Sequence, residues 1–458
     1  PSGPDLPRFP ESIPVPAVQS LIAAHRNGAP IGLYSVCSSH EQVLLAAMQV
    51  ARQYDTDLLI EATSNQVDQF GGYTGMTPAG FRDWVRSLAQ ANGFPADRLI
   101  LGGDHLGPNA WQSRPADEAM AHARELIAAY VAAGFHKIHL DCSMSCAGDP
   151  HPLPDETVAA RSADLARVAE RTAAEAGLPP PVYVIGTEVP VPGGEASLEA
   201  GLSVTTPAAA ARTLEIHRQA FAAPDLAPAW TRVIALVVQP GVDFDHSHVH
   251  AYDPDAAAAL SAFVDTRPGL VFEAHSTDYQ TEDALHALVR DHFAILKVGP
   301  AATFAYREAM FALAAIEDEL LPEGERSRLP EVLERCMVAK PRHWQAHYAG
   351  DAQALRLLRR YALSDRCRYY WGEPDVRAAV DTLVANLRRH PPPMILLSQF
   401  MPEQQRAVQA GRLEAEPLAL ARDRIAARLA EYARACVRNR AGVATGNESS
   451  GAAGLSQR

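Results

Sequence analysis

This chain of 458 residues lacks several features that would assign it at once to a particular class. It has no apolar run of the roughly 18 residues that a membrane-spanning helix needs, so no membrane association is expected. It also lacks a basic excess, since 41 Lys and Arg stand against 54 Asp and Glu, for a formal net charge of −13. This acidic balance argues against nucleic acid or an anionic membrane as a partner. A single phosphorylated small molecule stays open, because it needs only a local basic or backbone N–H site.

Cysteine is scarce, with six residues and no CxxC pair. Cys142 and Cys146 could both bind a metal, but no second Cys or His pair stands near them, so we interpret them as buried reduced thiols. The Pro-rich segment Pro1 to Pro16 has neither the basic nor the apolar region of a signal peptide. Together these features predict a cytoplasmic protein.

Glycine-rich phosphate loops are also missing from the sequence. It contains no GxxxxGKS or GxxxxGKT loop and no kinase signature, which argues against phosphoryl transfer from a nucleotide. No Gly-rich turn follows the first apolar run, Ile31–Val36. A doubly wound sheet would more often have one at this position, so that fold is the less favoured alternative.

The sequence does contain a repeated alternation of apolar runs and amphipathic segments. Eight runs are predicted as strands: Ile31–Val36, Leu58–Ala62, Leu99–Gly102, Lys137–Leu140, Val182–Ile185, Arg232–Val238, Leu270–Ala274 and Phe293–Val298. Such runs are typical of strands buried on both faces of a parallel sheet. The clearest helices are predicted between them at Ala116–Gly134, Thr157–Gly177, Thr206–Ala222 and Thr281–Asp291. Eight such units over roughly 270 residues predict an α/β protein with a (β/α)8 TIM barrel.

The chain changes character after about residue 323. Four further helices and no convincing strand are predicted there: Leu329–Met337, Ala352–Ala362, Val376–Arg389 and Leu418–Val437. We therefore predict a barrel over residues 17–323, a helical C-terminal region over 324–440, a flexible extension at 1–16 and a disordered tail at 441–458. Tyr361–Trp371 is dense in aromatic residues and arginine. It fits either a packed helix with solvated arginines, or a lid or phosphate contact over the barrel mouth.

The segment Gly102–Gly107 places Asp104 and His105 side by side after an apolar strand. In a barrel the reacting groups lie at the C-terminal ends of the strands, and the predicted strands of this chain end in polar residues. A carboxylate beside an imidazole lets one group hold a metal while the other moves a proton. We therefore predict Asp104 as the catalytic acid/base, although a carboxylate that only orients a histidine gives the same pattern.

Side chains at other strand ends complete a predicted metal site. His105 and His275 both follow apolar strands and would lie across the same mouth. Glu188 is the predicted carboxylate ligand and a second catalytic residue. His246 is the preferred histidine of the segment Asp245–His250, which can equally be a polar loop. A His/Glu set of this kind suits a divalent cation, Zn²⁺ first, with Mn²⁺, Ni²⁺ or Co²⁺ as alternatives.

Further polar residues at the strand ends are predicted to bind substrate. Five carry side chains suited to sugar hydroxyls: Glu61, Asn65, Gln66, Asp141 and Gln239. Asp141, and also Glu273, could instead support the metal ligands. Four others lie near the last two strands, where barrels often bind phosphate on backbone N–H groups: Ser276, Thr277, Lys297 and Gly299.

Seven stretches of this sequence, in the same order, closely resemble one protein family. They are EATSNQVDQFGGYTGMTPA (Glu61–Ala79), GGDHLGPN (Gly102–Asn109), KIHLDCSMSCAGDP (Lys137–Pro150), YVIGTEVPVPGGEAS (Tyr183–Ser197), VVQPGVDFDHS (Val237–Ser247), EAHSTDYQT (Glu273–Thr281) and FAILKVGPA (Phe293–Ala301). The family is that of the large Z-type subunit of class II D-tagatose-1,6-bisphosphate aldolase, long labelled tagatose-6-phosphate kinase. The resemblance covers about residues 20–438.

The resemblance implies a TIM barrel of the class II aldolase type. In those aldolases an Asp-His pair ends one strand, the histidine binds zinc and the aspartate moves the proton, and this pair matches Asp104 and His105. Another zinc histidine begins a His-Gly-Ala-Ser motif, which is similar here to the stretch from His275 onward. The next residue is Ser276 rather than glycine, so the phosphate contacts of that motif need not be retained.

The resemblance implies two kinds of function, and both stay open. The favoured one is a metal-dependent 4-epimerase that interconverts the tagatose and fructose forms of a ketose or ketose 6-phosphate by retro-aldol and aldol steps. The alternative is a non-catalytic subunit that stabilises a smaller aldolase subunit in galactitol and tagatose catabolism. An aldolase acting alone on a bisphosphate would need a second phosphate site, for which the sequence offers no clear cluster. The expected partners are the sugar, that smaller subunit in the alternative, and further copies of this chain in a homo-oligomer.

Overall fold

The computed structural model describes residues 16–29, 31–187 and 202–437. Its strands are β1 (Leu33–Val36), β2 (Leu58–Thr63), β3 (Leu99–Leu106), β4 (Lys137–Leu140), β5 (Val182–Ile185), β6 (Val233–Val238), β7 (Asp243–Phe244), β8 (Val249–His250), β9 (Val271–Ala274) and β10 (Ile295–Val298). Eight of them form a closed parallel barrel in the order β1-β2-β3-β4-β5-β6-β9-β10, and β10 pairs with β1. The predicted TIM barrel is therefore confirmed.

The structure differs from the prediction in an informative way at two places. β3 continues to Leu106, so Asp104 and His105 belong to the strand itself rather than to the loop after it. The pairing of β3 with β4 shifts register between Gly103 and Leu106, within this extension. The segment predicted as a His-rich metal site or polar loop forms the small antiparallel hairpin of β7 and β8.

Helices alternate with the barrel strands and then continue alone. Up to the last barrel strand they are α1 (Pro16–Arg26), α2 (Glu41–Gln53), α3 (Pro78–Ala91), α4 (Ala116–Ala132), α5 (Asp155–Glu175), α6 (Pro207–Ala220), α7 (Ala227–Trp230), α8 (Pro254–Asp265) and α9 (Glu282–Arg290). After it come α10 (Pro300–Leu320), α11 (Leu329–Ala339), α12 (Ala352–Tyr361), α13 (Pro374–Arg389), α14 (Met394–Phe400), α15 (Pro402–Gln409) and α16 (Pro417–Val437). Among these described helices, none has the length and apolarity needed to cross a membrane. The predicted tail at 441–458, and residues 1–15 of the predicted extension, lie outside the described residues.

The barrel interior has an apolar end and a charged end. At the N-terminal ends of the strands it is filled by aliphatic side chains such as Leu33, Leu59 and Ile100. Helix α1 covers this end, because Val18 and Ile22 are buried in the same cluster. Access to the interior is therefore from the C-terminal ends of the strands.

The charged end is built by residues that alternate with apolar ones along the strands. Successive strand residues face opposite sides, so in β4 both Lys137 and His139 face the interior, and both are fully buried. There Lys137 meets Glu61 from β2 and Glu273 from β9, while His139 meets Asp104 from β3. Buried charges are unfavourable unless they are paired and hydrogen-bonded, and these groups pair with one another.

Two glycines, one in β3 and one directly after it, make room for this charged layer. A Cβ atom on Gly102 would lie 2.6 Å from the Oε1 atom of Glu61, so only glycine lets that glutamate cross the interior. A Cβ atom on Gly107 would overlap the carbonyl oxygen of Asp141, where the chain that leaves β3 passes the end of β4. The motif around Asp104 therefore combines reactive groups with the space that they require.

The last helix packs directly on the barrel. α16 lies against α2, α9 and α10, the helices that flank the first and last barrel strands. The carbonyl of Cys436 in α16 accepts a hydrogen bond of 3.0 Å from the N–H of Gly32, just before β1. The hydroxyl of Tyr432 donates to the carbonyl of Thr277, after β9, at 2.7 Å. Helix α16 thus covers the seam at which the barrel closes.

Stability is expected to fall as the pH is lowered from about 6.5 towards 4, because some histidines are buried without charge. His217 of α6 is fully buried, its Nδ1 bonds the carbonyl of Thr213 at 2.9 Å, and burial lowers its pKa to about 4. In this interval the unfolded chain takes up a proton that the folded chain does not, so the free energy of unfolding decreases; above pH 6.5 the imidazole has no such effect. Urea unfolding at a series of pH values measures the decrease.

Two matched variants test this assignment. His217→Gln does not titrate, so its free energy of unfolding should depend less on pH over the same interval. His390→Gln replaces an exposed histidine at the end of α13 and should keep the wild-type dependence. An equal pH dependence in the wild type and in His217→Gln would contradict the assignment.

Candidate functional site

A cavity of about 530 Å³ opens at the C-terminal ends of the barrel strands. Asp104, His105, His275 and Lys297 line its barrel side. Part of its wall comes from the helical region: Arg342, Arg368, Tyr369, Trp371, Gly372 and Glu373. Two separated parts of the sequence therefore build one cavity, whose volume is in the usual range for a small-molecule site.

The two carboxylate oxygens of Asp104 have different surroundings. Oδ1 accepts hydrogen bonds from Nδ1 of His139 at 2.9 Å and from the backbone N–H of His105 at 3.1 Å, and lies 3.0 Å from Nζ of Lys297. Among the described residues, Oδ2 has only the Sγ atom of Cys37 at 3.8 Å and Nε2 of His105 at 3.6 Å. Oδ2 is therefore the oxygen that remains able to accept a proton from a bound molecule.

Three imidazoles pack together beside Asp104. The ring centroids of His105, His139 and His275 are 4.9 to 5.3 Å apart. Nδ1 of His105 lies 2.8 Å from Asp141, and Nε2 of His275 lies 2.9 Å from Glu273. With the contact between His139 and Asp104, each imidazole thus has one nitrogen against a carboxylate.

This arrangement fits a metal site. Histidine ligands in proteins commonly donate one ring N–H to a carboxylate, which orients the other nitrogen towards the metal. Nε2 of His139 is buried and has no hydrogen-bond partner in the described part of the chain, as expected of a nitrogen reserved for a ligand. The group of possible ligands whose donor atoms all lie within 4.8 Å of one another consists of Asp104, His139, Glu273 and His275. Residues of this kind are suited to binding a divalent cation.

The charge of the buried layer favours a cation as well. It contains four carboxylates and two ammonium groups: Glu61, Asp104, Asp141, Glu273, Lys137 and Lys297. With neutral imidazoles these groups carry a formal charge of −2, which one divalent ion would balance. Lys137 bridges Glu61 at 2.8 Å and Glu273 at 2.7 Å, so the layer holds together through ion pairs.

The pKa values of the acidic groups follow from this pairing. Burial by itself would raise the pKa of Asp104, but His105 and Lys297 hold it well below its usual range. Burial acts in the same direction on Glu273, and Lys137 and Lys297 likewise keep its pKa well below the usual range. Both carboxylates are therefore ionised, which is the state in which Asp104 can accept a proton.

The histidines are shifted in opposite directions. Burial lowers the pKa of His275 to about 4, so its imidazole is neutral near pH 7, which is the form that binds metal ions. Burial would also lower the pKa of His105, but the charges of Asp104 and Asp141 outweigh it and raise the pKa above the usual value. Asp141 does not line the described cavity, but its charge helps to raise the pKa of His105, which does.

The structure brings some of the predicted ligands together and separates others. His105 and His275 lie together beside Asp104, while Glu188 lies outside the described residues. His246 does not join them, because its Nδ1 bonds Ser364 at 2.9 Å and its Nε2 bonds the carbonyl of His347 at 2.9 Å. The structure therefore corrects the assignment of His246 as a ligand: it joins the β7–β8 hairpin to the helical region.

The predicted substrate-binding residues divide in the same way. Five of them line the cavity: Asn65, Gln66, Ser276, Lys297 and Gly299. The other four are buried or hydrogen-bonded elsewhere and do not line it: Glu61, Asp141, Gln239 and Thr277. Glu61 and Asp141 belong to the charged layer, and Oε1 of Gln239 accepts hydrogen bonds from the backbone of its own loop. The structure thus places these four side chains outside the described wall of the cavity, away from the position that the sequence predicted for them.

The most important residue that sequence reasoning missed is His139. It lies inside a predicted strand, whereas the candidate ligands were sought at the ends of strands. The signal was present, because Lys137 and His139 alternate with apolar residues in a short buried strand. The wall residues Arg368 and Tyr369 fall in the segment Tyr361–Trp371, for which the sequence left two interpretations open. Arg368 is half-buried and faces the cavity, so it is not an arginine on the outer surface.

Two residues at the site have a backbone conformation that glycine favours. The φ angle is +49° at His105 and +52° at Ser276. Residues with side chains avoid this left-handed region, at a cost of roughly 1–2 kcal/mol each. Ser276 therefore keeps the backbone conformation expected of a glycine, although it is a serine.

Comparisons with known proteins identify the family of this chain. The family model described as D-tagatose-1,6-bisphosphate aldolase subunit GatZ/KbaZ-like matches residues 18–437. The crystal structure of a probable tagatose 6 phosphate kinase from Sinorhizobium meliloti is similar, with 49% identity and a TM-score of 0.81, over 88% of this chain and 100% of that one. The YdjI aldolase from Escherichia coli matches with 11% identity and a TM-score of 0.40, over 81% of this chain and 95% of that one. The chain therefore belongs to the GatZ/KbaZ-like family of D-tagatose-1,6-bisphosphate aldolase subunits.

Proposed function

We propose that this chain is a metal-dependent 4-epimerase that interconverts the tagatose and fructose forms of a ketose. One observation above all supports this function: Asp104 presents a carboxylate oxygen beside three clustered imidazoles, at the base of a cavity of sugar size. The membership of a family of tagatose-bisphosphate aldolase subunits supports the sugar class.

The imidazoles of His105, His139 and His275 are the groups that we assign to hold the metal. His139 and His275 belong to the group of close donor atoms, while His105 and Glu188 are added from the sequence. Asp141 and Glu273 orient the first and third of these imidazoles. A bound divalent ion would polarise the ketose carbonyl and an adjacent hydroxyl. Imidazole and carboxylate donors favour Zn²⁺, with Mn²⁺, Ni²⁺ or Co²⁺ as alternatives.

Asp104 moves the proton in this mechanism. Its Oδ2 takes the proton of the C4 hydroxyl, the C3–C4 bond breaks, the electron pair of that bond stays with C3, and C4 becomes an aldehyde carbon. The aldehyde fragment turns over in the cavity, the bond forms again on its opposite face, and Asp104 returns the proton. Lys297, at 3.0 Å from Oδ1, stabilises the ionised state in which Asp104 begins and ends this cycle.

The test uses the purified chain alone. It is incubated with D-fructose, and separately with D-fructose 6-phosphate, in the presence of EDTA or of added Zn²⁺, Mn²⁺ or Ni²⁺, and the tagatose form is followed by NMR. We expect product that depends on the metal. His139→Gln should lose bound metal and turnover, whereas His246→Gln, which changes a histidine outside the cavity, should keep both.

The alternative function is a non-catalytic subunit that stabilises a smaller aldolase subunit. The family description favours it, because it names an aldolase subunit. Absence of turnover with every metal, together with a longer half-life of a smaller aldolase subunit mixed with this chain, would support this function over the epimerase.

A further inference from the structure

An aromatic contact joins the two parts of the chain that line the cavity. Tyr73 belongs to the loop between β2 and α3, and Tyr369 belongs to the segment between α12 and α13. Their ring centroids are 4.9 Å apart, and the rings are nearly perpendicular, at 81°. Both side chains line the cavity and are half-buried, whereas Asp104 and His275 are buried. The contact therefore lies on the solvent side of the candidate catalytic groups.

Tyr369 is held in place by its own part of the chain. The imidazole of His343 stacks on its ring, with centroids 4.7 Å apart and an angle of 15° between the planes. The guanidinium of Arg368 lies 4.4 Å from the ring centroid, within the range of a cation–π contact. Asp365, in the same segment, accepts a hydrogen bond of 3.0 Å from Nε of Arg307 in α10, and both side chains are buried. This ion pair fixes the segment of Tyr369 to the helix that follows the last barrel strand.

The loop that carries Tyr73 is folded on itself. The hydroxyl of Thr74 donates to the carbonyl of Gln66 at 2.7 Å, and Gln66 lines the cavity. Gly72 has a φ angle of +54°, and a Cβ atom on it would lie 2.4 Å from the carbonyl oxygen of Gln66. Loops of this kind open more readily than strands or helices. The contact with Tyr369 therefore affects how often this side of the cavity is open.

We infer that Tyr369, packed on Tyr73, keeps the aldehyde fragment inside the cavity and thereby directs the reaction to epimerisation rather than cleavage. This inference rests on the proposed function. After the C3–C4 bond breaks, the aldehyde has to leave its first position in order to present its opposite face, and the cavity walls retain it during this movement. If the aldehyde escaped, the proton taken by Asp104 would pass to C3. One ketose would then yield two trioses: dihydroxyacetone and glyceraldehyde, or glyceraldehyde 3-phosphate from the phosphorylated sugar.

The experiment measures both outcomes in the wild type and in Tyr369→Ala. Each protein is incubated with added metal and with D-fructose or D-fructose 6-phosphate, and NMR follows the tagatose form and the released trioses together. We expect the ratio of trioses to tagatose form to rise about tenfold in the variant, because the attraction within an aromatic pair is of this order. Tyr73→Ala removes the same contact from the other side and should raise the ratio to a similar extent.

Two further variants serve as controls. Tyr369→Phe keeps the aromatic ring and should restore the ratio of the wild type. Tyr361→Ala removes an exposed tyrosine that does not line the described cavity, and it should leave the ratio unchanged. An equal ratio in the wild type and in both alanine variants of the contact would overturn the inference. Release of trioses by the wild type as fast as the tagatose form appears would overturn it as well.

Hydrogen exchange gives a second readout that needs no turnover. The amides of Gly72, Tyr73 and Thr74 are hydrogen-bonded within the loop. They should exchange about tenfold faster in Tyr369→Ala than in the wild type, and unchanged exchange would contradict the inference. If the wild type neither epimerises nor cleaves either sugar, the proposed function fails, and the exchange still decides whether Tyr369 holds the loop closed.

Discussion

Asp104→Asn is expected to lower the turnover of the proposed epimerase reaction by about a hundredfold or more, while the protein stays folded. The asparagine side chain has nearly the same shape, but its amide cannot accept the proton of a sugar hydroxyl. His139 and Lys297 keep a neutral oxygen as partner in place of a charged one. NMR assays of tagatose formation, with metal added to saturation, measure the loss.

A matched control separates the loss of the proton acceptor from a general effect of removing a carboxylate. Asp149→Asn changes a partly buried carboxylate, paired with Arg161 at 2.8 Å, that does not line the cavity. It should keep full turnover. Metal content and a thermal melt are measured for both variants. Wild-type turnover in Asp104→Asn would exclude this residue as the acid/base and would remove the main support for the proposed chemistry.

Lys137→Met is expected to destabilise the fold by about 3–5 kcal/mol at neutral pH. The side chain of Lys137 is fully buried between Glu61 and Glu273, at 2.8 and 2.7 Å. Methionine fills a similar volume but leaves both glutamates without one of their cations, and an uncompensated buried charge is strongly unfavourable. Urea unfolding monitored by circular dichroism gives the change in the free energy of unfolding.

The control for this variant is an exposed ion pair. Arg167→Met removes the partner of Asp225, 2.8 Å away on the surface, where such pairs contribute less than about 1 kcal/mol. Because protonation removes the uncompensated charge, the deficit of Lys137→Met should also shrink as the pH is lowered towards 4. A loss no larger than that of Arg167→Met would show that the glutamates are adequately paired without Lys137.

The barrel could be predicted because each of its strands is buried on both faces, and such strands are recognisable in the sequence as apolar runs. It also placed Asp104, His105 and His275 together, since strand ends of a parallel barrel meet at one mouth. These predictions depend on positions along single strands. No contact between distant segments had to be known.

Residues whose role depends on contacts between distant segments were not predictable in this way. His139 is a ligand candidate only because its strand neighbours that of Asp104, and its Nδ1 meets that carboxylate. His246 was assigned by its distance from a strand, but the chain turns into a hairpin and carries it to the helical region.

The cavity wall has a consequence for how proteins of this architecture diverge. The candidate catalytic and metal-binding groups come from strands β3 and β4 and from the end of β9, whereas Arg342, Arg368 and Tyr369 on the cavity wall come from a stretch that contributes no strand to the barrel. Mutations in that stretch can change which substrates fit the cavity without altering the candidate catalytic residues of the barrel. Selection on substrate choice can therefore proceed in the helical region while the chemistry of the barrel is inherited unchanged.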